Sequence, residues 1–380
     1  MAGLVAVTLS GAAKRVMIIC QRDRFANGTR AAQLCDFLRD RGHQVLLVDT
    51  HYLGRASADP RSLRNKLPPL SAPRAGLYLL EALSALLTRR WQWGRRRLSY
   101  YLLLGDYTLR KRILASRLCL DAVDLVICNT PHDAGVLTAV KSARTLYDCP
   151  TPWADELWYE DRLTERQHHR LHQLEADLFQ RVDHLTFFWQ TYGGYAVAHY
   201  DLDGRNLMTL NMGCTPAEHR ARFASPPRVV YIGSLSSRFI DLPLLSRLSR
   251  LYPHVDVYGG PQPDPGLGLN YRGYASPDVL QSYQLGLVTC TRDELRREGF
   301  SAKHLDYLAH GLPVLVPAWR RHLELLRGSV PYSENSFASV IGELSDRASW
   351  QRVSDEAYAQ AQRLTCDRTL APLAAMMQEA

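Results

Sequence analysis

The sequence predicts an α/β protein made of two doubly wound, parallel-sheet halves, and three observations carry that reading. At 380 residues the chain exceeds what one compact core usually serves, so two domains are expected. Short apolar β runs alternate with helix-like segments in both halves, the order that parallel sheets require. A Ser225-Pro226-Pro227 break separates the two series.

The first series opens with the apolar run Arg15–Cys20, followed by an Asn27-Gly28-Thr29 loop in which Thr29 is placed to cap a helix over Ala31–Arg41. Gly42 stops that helix, and Gln44–Val48 forms a second strand. Further strands are expected at Leu125–Cys128, Arg144–Tyr147 and near His184–Phe188, with a long polar helix over Thr164–Arg181. The second series begins at Arg228–Ile232. A helix (Leu242–Leu251), a strand (Val255–Tyr258), a Gly/Pro-rich loop and a strand near Asn270–Tyr271 come next. A helix (Ser276–Tyr283), a strand (Leu285–Thr289), a helix (Ser301–His310) and a strand (Val314–Pro317) complete it. The expected division is residues 1–208, a linker at 209–226, a second domain at 227–362, and a tail at 363–380 free to cross back to the first domain. Two facing Rossmann-like domains with a cleft between them follow. Ligands of such sheets sit at the carboxyl ends of the strands.

Composition narrows the classes. With 46% hydrophobic and 22% charged residues, disorder is not expected, and no apolar run reaches the ~20 residues of a membrane span. The segment Met1–Lys14 lacks a basic leading stretch and reads as an N-terminal arm, not a signal peptide. Eight cysteines are scattered without a CxxC pair, several inside apolar runs, which fits free buried thiols in a reducing cytoplasm. His168, His169 and His172 lack nearby cysteines and lie on a polar helix, so a solvated face is expected there and no metal site. The net charge of +8 is regional: between Arg61 and Arg117 thirteen cations face only Glu81 and Asp106, leaving about −3 for the rest.

The most informative stretch runs Glu298-Gly299-Phe300-Ser301-Ala302-Lys303-His304-Leu305-Asp306-Tyr307-Leu308-Ala309-His310-Gly311-Leu312-Pro313-Val314. It reads as loop, helix and buried strand. Ser301 opens the helix, whose N-terminus offers free amides and a positive dipole end to a phosphate. Lys303 in the first turn is unfavourable for a helix unless an anion neutralises it. Asp306, one turn on, is suited to accept hydrogen bonds from a ribose diol. This segment resembles the donor-binding helix of GT-B glycosyltransferases, in which a lysine contacts the diphosphate and an acidic residue holds the ribose. The Glu298–Asp306 spacing is similar to the Glu-x7-Glu pattern of the retaining glycosyltransferase family 4, with Asp in second place.

Tyr231-Ile232-Gly233-Ser234-Leu235 ends the first strand of the second half, where Gly233 lets backbone approach the donor. The loop through Arg238 to Asp241 resembles that of bacterial exopolysaccharide transferases related to xanthan glucuronosyltransferase and the teichuronic-acid enzymes. Many members of family 4 place an arginine directly after this glycine and a lysine further on; here Ser234 follows, and Arg238 is the nearest substitute. Tyr274, in Arg272-Gly273-Tyr274-Ala275, lies where GT-B enzymes hold the nucleobase, and either stacks on a base or packs in the fold.

For the acceptor side, Tyr147-Asp148-Cys149 resembles a strand end that the exopolysaccharide group follows with a basic carboxylate. Here Pro150-Thr151-Pro152 follows, so Asp155, projected by a Pro-rich loop, is the first candidate for a general base. Asp23, at the carboxyl end of the first strand, is the second; each has a structural alternative, a cap or surface position for Asp155 and a salt bridge to Arg22, Arg24 or Arg30 for Asp23. Glu298 is the third catalytic candidate. Arginines interleaved with Trp91, Trp93, Tyr100 and Tyr101 suit an amphipathic helix on an anionic membrane better than a solvated face or a nucleic acid. The expected activity is a hexosyltransferase-like transfer from a nucleotide-diphosphate sugar to a glycan or lipid-linked acceptor. No cofactor, metal or nucleic acid is implied, and the place is cytoplasmic, peripheral to the inner face of the membrane. Glycosylation of a soluble small molecule, or a non-catalytic partner role, is the alternative.

Overall fold

A computed structural model describes residues 13–20, 30–50, 92–202, 207–237, 239–299, 301–320 and 326–378. The chain divides into two compact units. One comprises Met1–Phe188, Ala196–Leu210 and Leu370–Ala380, the other Trp189–Tyr195 and Asn211–Thr369.

The first unit holds a six-stranded sheet in the order β2-β1-β3-β4-β5-β6. Its strands are β1 (Arg15–Cys20), β2 (Gln44–Asp49), β3 (Leu125–Cys128), β4 (Arg144–Cys149), β5 (His184–Phe187) and β6 (Leu207–Thr209). All neighbours pair in parallel, with Val16 registered between Val45 and Leu125. Every residue of β1 after Arg15 is buried, as expected of a strand covered on both faces. The core joins Val16, Ile18, Leu34, Leu38 and Ile127 to Leu373 and Met377 of the helix Ala371–Gln378.

Two buried ion pairs fix this unit. Arg30 donates Nε and Nη2 to the two carboxylate oxygens of Asp148 at 2.7 and 2.9 Å, and Nη2 also reaches the Leu210 carbonyl. Arg110, on the long helix Gln92–Arg117, makes the same fork with Asp133 at 2.6 and 3.0 Å. Bidentate geometry is what lets such charges lie inside a fold. Arg110 is therefore a core anchor, although it belongs to the basic stretch.

The second unit holds another six-stranded parallel sheet, ordered β12-β11-β10-β7-β8-β9. Its strands are β7 (Val229–Ile232), β8 (Val255–Tyr258), β9 (Asn270–Tyr271), β10 (Leu285–Leu287), β11 (Val314–Pro317) and β12 (Ser329–Tyr332). From β7 the chain winds outward through β8 and β9, then returns to pair β10 on the other side of β7. The switch point thus lies between β7 and β10, where open α/β sheets take their ligands.

Two sequence expectations change in detail. Residues Pro277–Ser282 form a 3-10 turn instead of an α-helix, the tighter winding common in short connectors. Asp155, expected to be projected by a Pro-rich loop, lies instead in the helix Trp153–Tyr159. The strands β6 and β12 were not legible: β6 has three residues and β12 contains Pro331.

Candidate functional site: a cationic pocket at the switch point of the second sheet

A cavity of about 750 Å³ opens at the carboxyl ends of the second sheet. Ile232 at the end of β7 and Gly233 after it, Gly259 and Gly260 after β8, Val288 to Cys290 after β10 and Arg320 after β11 line it. Backbone bonds tie these loops together: the Gly233 amide donates to Tyr258 and the Leu235 amide to Gly260. Gly233 and Gly259 have φ of +152° and +137°. A Cβ at Gly259 would lie 1.7 Å from the Gly233 carbonyl oxygen, and one at Gly233 would lie 2.8 Å from Lys303 Nζ. Only glycine permits both approaches.

The helix Ala302–Ala309 aims its N-terminus at this cavity, with Ser301, Ala302, Lys303 and Asp306 among the lining residues. Its inner face buries His304, Leu305, Tyr307 and Leu308. Tyr307 sets the helix against the switch point. Its hydroxyl accepts from the Ile232 amide of β7 at 3.0 Å and donates to the Leu287 carbonyl of β10 at 3.2 Å. Its ring occupies the space left by Gly286, where a Cβ would meet it at 2.4 Å. Ser301 makes no side-chain cap bond, so the first amides of the helix are left for an external acceptor.

The charges in the pocket are perturbed. Lys303 Nζ donates to the Tyr231 hydroxyl at 2.8 Å. Burial, reinforced by the neighbouring Arg320, lowers the Lys303 pKa to about 7. Asp306 is pushed by burial up to about 6, against the pull of Lys303. Arg296 and Arg320 line the same cavity, are both almost fully buried and escaped the sequence reading. Their only sequence signal is position, four residues before Phe300 and three after Pro317.

The structure gathers Gly233, Ser234, Tyr274, Ser301, Lys303 and Asp306 around one cavity. Tyr274 is 89% exposed at its edge. Glu298 is buried at the end of the helix Glu294–Glu298, its carbonyl accepting from Thr191, and is not among the lining residues. Arg238 and Asp23 lie outside the described residues.

Asp155 belongs to the first unit. It sits in the first turn of the Trp153–Tyr159 helix, 4% exposed. Oδ1 is 2.6 Å from His168 Nε2, and Oδ2 accepts from the Tyr200 hydroxyl at 2.9 Å. Tyr200 also lies 2.9 Å from Glu175, whose carboxylate accepts the Trp153 and Ala154 amides. Burial pushes Glu175 up to about 8 despite these bonds. His168 and His172 turn toward this network, His172 stacking on Tyr200 at 4.0 Å, while His169 alone is on the solvated face. Asp148 is committed to Arg30.

No family model and no curated protein matches this chain. Solved structures match it over nearly its whole length. The sucrose-phosphate synthase of Thermosynechococcus elongatus shares 12% identity over 96% of this chain and 98% of its own, with a TM-score of 0.66. HepE of Anabaena, solved with UDP and glucose, shares 15% over 97% of this chain and 100% of its own, at 0.59. The lipopolysaccharide outer core galactosyltransferase WaaB shares 11% over 96% of this chain and 100% of its own, also at 0.59. The two parallel six-stranded sheets are thus the α/β fold of GT-B glycosyltransferases.

Proposed function

We propose that the protein is a glycosyltransferase that takes its sugar from a nucleotide-diphosphate donor bound in the second unit. One observation carries this reading: Lys303, Asp306 and a helix N-terminus converge on a cavity at the switch point of the sheet. The lysine and the amides suit a diphosphate, and Asp306 suits the ribose diol. Gly233 and Ser234 then lie beside the phosphates, and Tyr274 offers an aromatic face to the base. HepE was solved with UDP and glucose, and an α-glucosyltransferase of this fold (12% identity, TM-score 0.56) with UDP-glucose and DNA.

The acceptor we propose is a glycan or lipid-linked hydroxyl presented at an anionic membrane, with the basic stretch 61–117 as the contact. No helix among the described residues is long and apolar enough to cross a membrane; the contact we propose is at the surface. For the acceptor proton we assign the Asp155–His168 pair. Both Asp155 oxygens are engaged, so the half-buried imidazole is the group placed to take a proton and Asp155 orients it.

Calorimetry with a nucleoside and its diphosphate tests the donor reading. Lys303→Ala should weaken the diphosphate about tenfold or more and spare the nucleoside. Asp306→Asn should weaken both alike, since both contain the ribose. Equal losses of both ligands in Lys303→Ala would reject the assignment.

A further inference from the structure

We propose that Arg296 and Arg320 form, with Lys303, a three-cation cradle for the terminal phosphate of the donor's diphosphate. The inference rests on the donor reading above and adds two residues to it.

The two arginines come from different elements, the helix Glu294–Glu298 and the segment after β11. They are 9% and 5% exposed, and both line the cavity. Arg320 is pinned beside the N-terminus of the Ala302–Ala309 helix. Its Nη2 donates to the Gly299 carbonyl, and its Nη1 lies 3.6 Å from Cys290 Sγ. Arg296 lies over the Phe239 ring, its guanidinium carbon 3.2 Å from the centroid. All three cations act electrostatically on Cys290, which marks them as neighbours.

Their hydrogen bonds are incomplete. Nε and Nη2 of Arg296 and Nε of Arg320 are buried without a partner among the described residues. An unsatisfied buried guanidinium donor is costly, and three in one cavity, next to a lysine whose charge burial already disfavours, are costlier still. The nearest cap carboxylate, Asp293, is engaged by the Arg296 backbone amide at 2.7 Å. A phosphate group supplies what this arrangement lacks, since its oxygens accept the planar forks of arginine.

The chemistry gives fixed cations a use at this place. As the bond between the sugar anomeric carbon and the phosphate oxygen breaks, its electron pair stays on that oxygen. The new bond forms to the acceptor oxygen, whose proton passes to the base. The departing diphosphate therefore gains one negative charge, and fixed cations around it stabilise the transition state more than the ground state.

Calorimetry with a nucleoside diphosphate and the matching monophosphate tests the cradle. The base is chosen by the largest melting shift among the UDP, GDP, ADP and CDP series. Wild-type protein should prefer the diphosphate. Arg296→Gln and Arg320→Gln should each weaken it by about tenfold while changing the monophosphate less than about twofold. Arg320→Lys, which keeps charge but loses the fork, should fall between them, and it stands in if Arg320→Gln does not fold. Full retention of the diphosphate preference in the folded Arg296 and Arg320 variants would overturn the cradle and leave the donor reading intact. A wild-type protein that binds no nucleoside diphosphate would overturn both.

Discussion

Lys303 and Tyr231 meet twice: Nζ donates to the phenol oxygen at 2.8 Å and sits 4.0 Å from the ring centroid. The same hydroxyl donates to the Ser234 carbonyl at 3.1 Å. A strand residue thereby holds the first-turn lysine against the Gly233 loop and supplies a soft counterpart for its charge. Tyr231→Phe keeps the ring and removes the oxygen. Diphosphate affinity should fall about three- to tenfold through loss of positioning, with the nucleoside unaffected. Calorimetry on the two ligands checks this, and an equal loss for both would place the effect in the fold.

The Lys303 pKa of about 7 makes binding dependent on pH. Below that value the lysine is already charged and meets the diphosphate at no proton cost. Above it, binding must first bring a proton in, because the bound anion raises the lysine pKa. Affinity should therefore fall as pH rises from about 7, by up to about tenfold per unit. The phosphate's second ionisation near ~6 is complete in this range. Below about 6, protonation of Asp306 should weaken the ribose contact, so nucleoside affinity falls at the acid side. Lys303→Met should abolish the alkaline slope. A slope that persists in this variant would assign the titration to another group.

In the first unit, Asp155→Asn leaves the hydrogen bonds of Tyr200 largely available but removes the carboxylate beside His168. If Asp155 orients the base, turnover should drop by about 10²-fold or more with donor affinity unchanged. His168→Ala should drop it similarly, and the two together no further. Normal turnover in both variants would move the proton transfer elsewhere, with Asp23→Asn the next substitution to assay.

How far this site can be read from sequence depends on how local its parts are. Lys303, Asp306 and Ser301 share one helix, so spacing alone brings them together, and Gly233 is visible because it ends an apolar run. The arginine cradle is not local: Arg296 and Arg320 reach the cavity through β10, β11 and an intervening helix, and each looks like an ordinary surface arginine in the sequence. Asp155 shows the converse. Its proline-rich lead suggested a projecting loop, yet Glu175, distant in sequence, caps the Trp153 and Ala154 amides and starts a helix there. The strands β7, β8, β10 and β11 were legible as apolar runs, whereas the return to β10 on the other side of β7 is set by pairing partners no local pattern records.

The basic stretch contains arginines with two different duties, and their substitution should separate them. Arg110 is 3% exposed, and its fork to Asp133 is buried on both sides. Arg110→Ala would leave the Asp133 carboxylate inside the fold without that partner, which should cost about 3 kcal/mol or more and lower the melting temperature. Arg95, Arg96 and Arg97 lie in one helix with it, Gln92–Arg117, and are proposed as the lipid contact. As lipid contacts these three would carry no core packing, so replacing them by Ser should leave the melting temperature within about 2 °C. Sedimentation with phosphatidylglycerol vesicles should then weaken by at most about 1 kcal/mol per charge, and more so at low salt, where screening over about 10 Å is weakest. Neutral vesicles should capture neither protein. Wild-type protein that ignores anionic vesicles at low salt would sink the membrane reading, and the stretch would then serve a polyanionic acceptor or water.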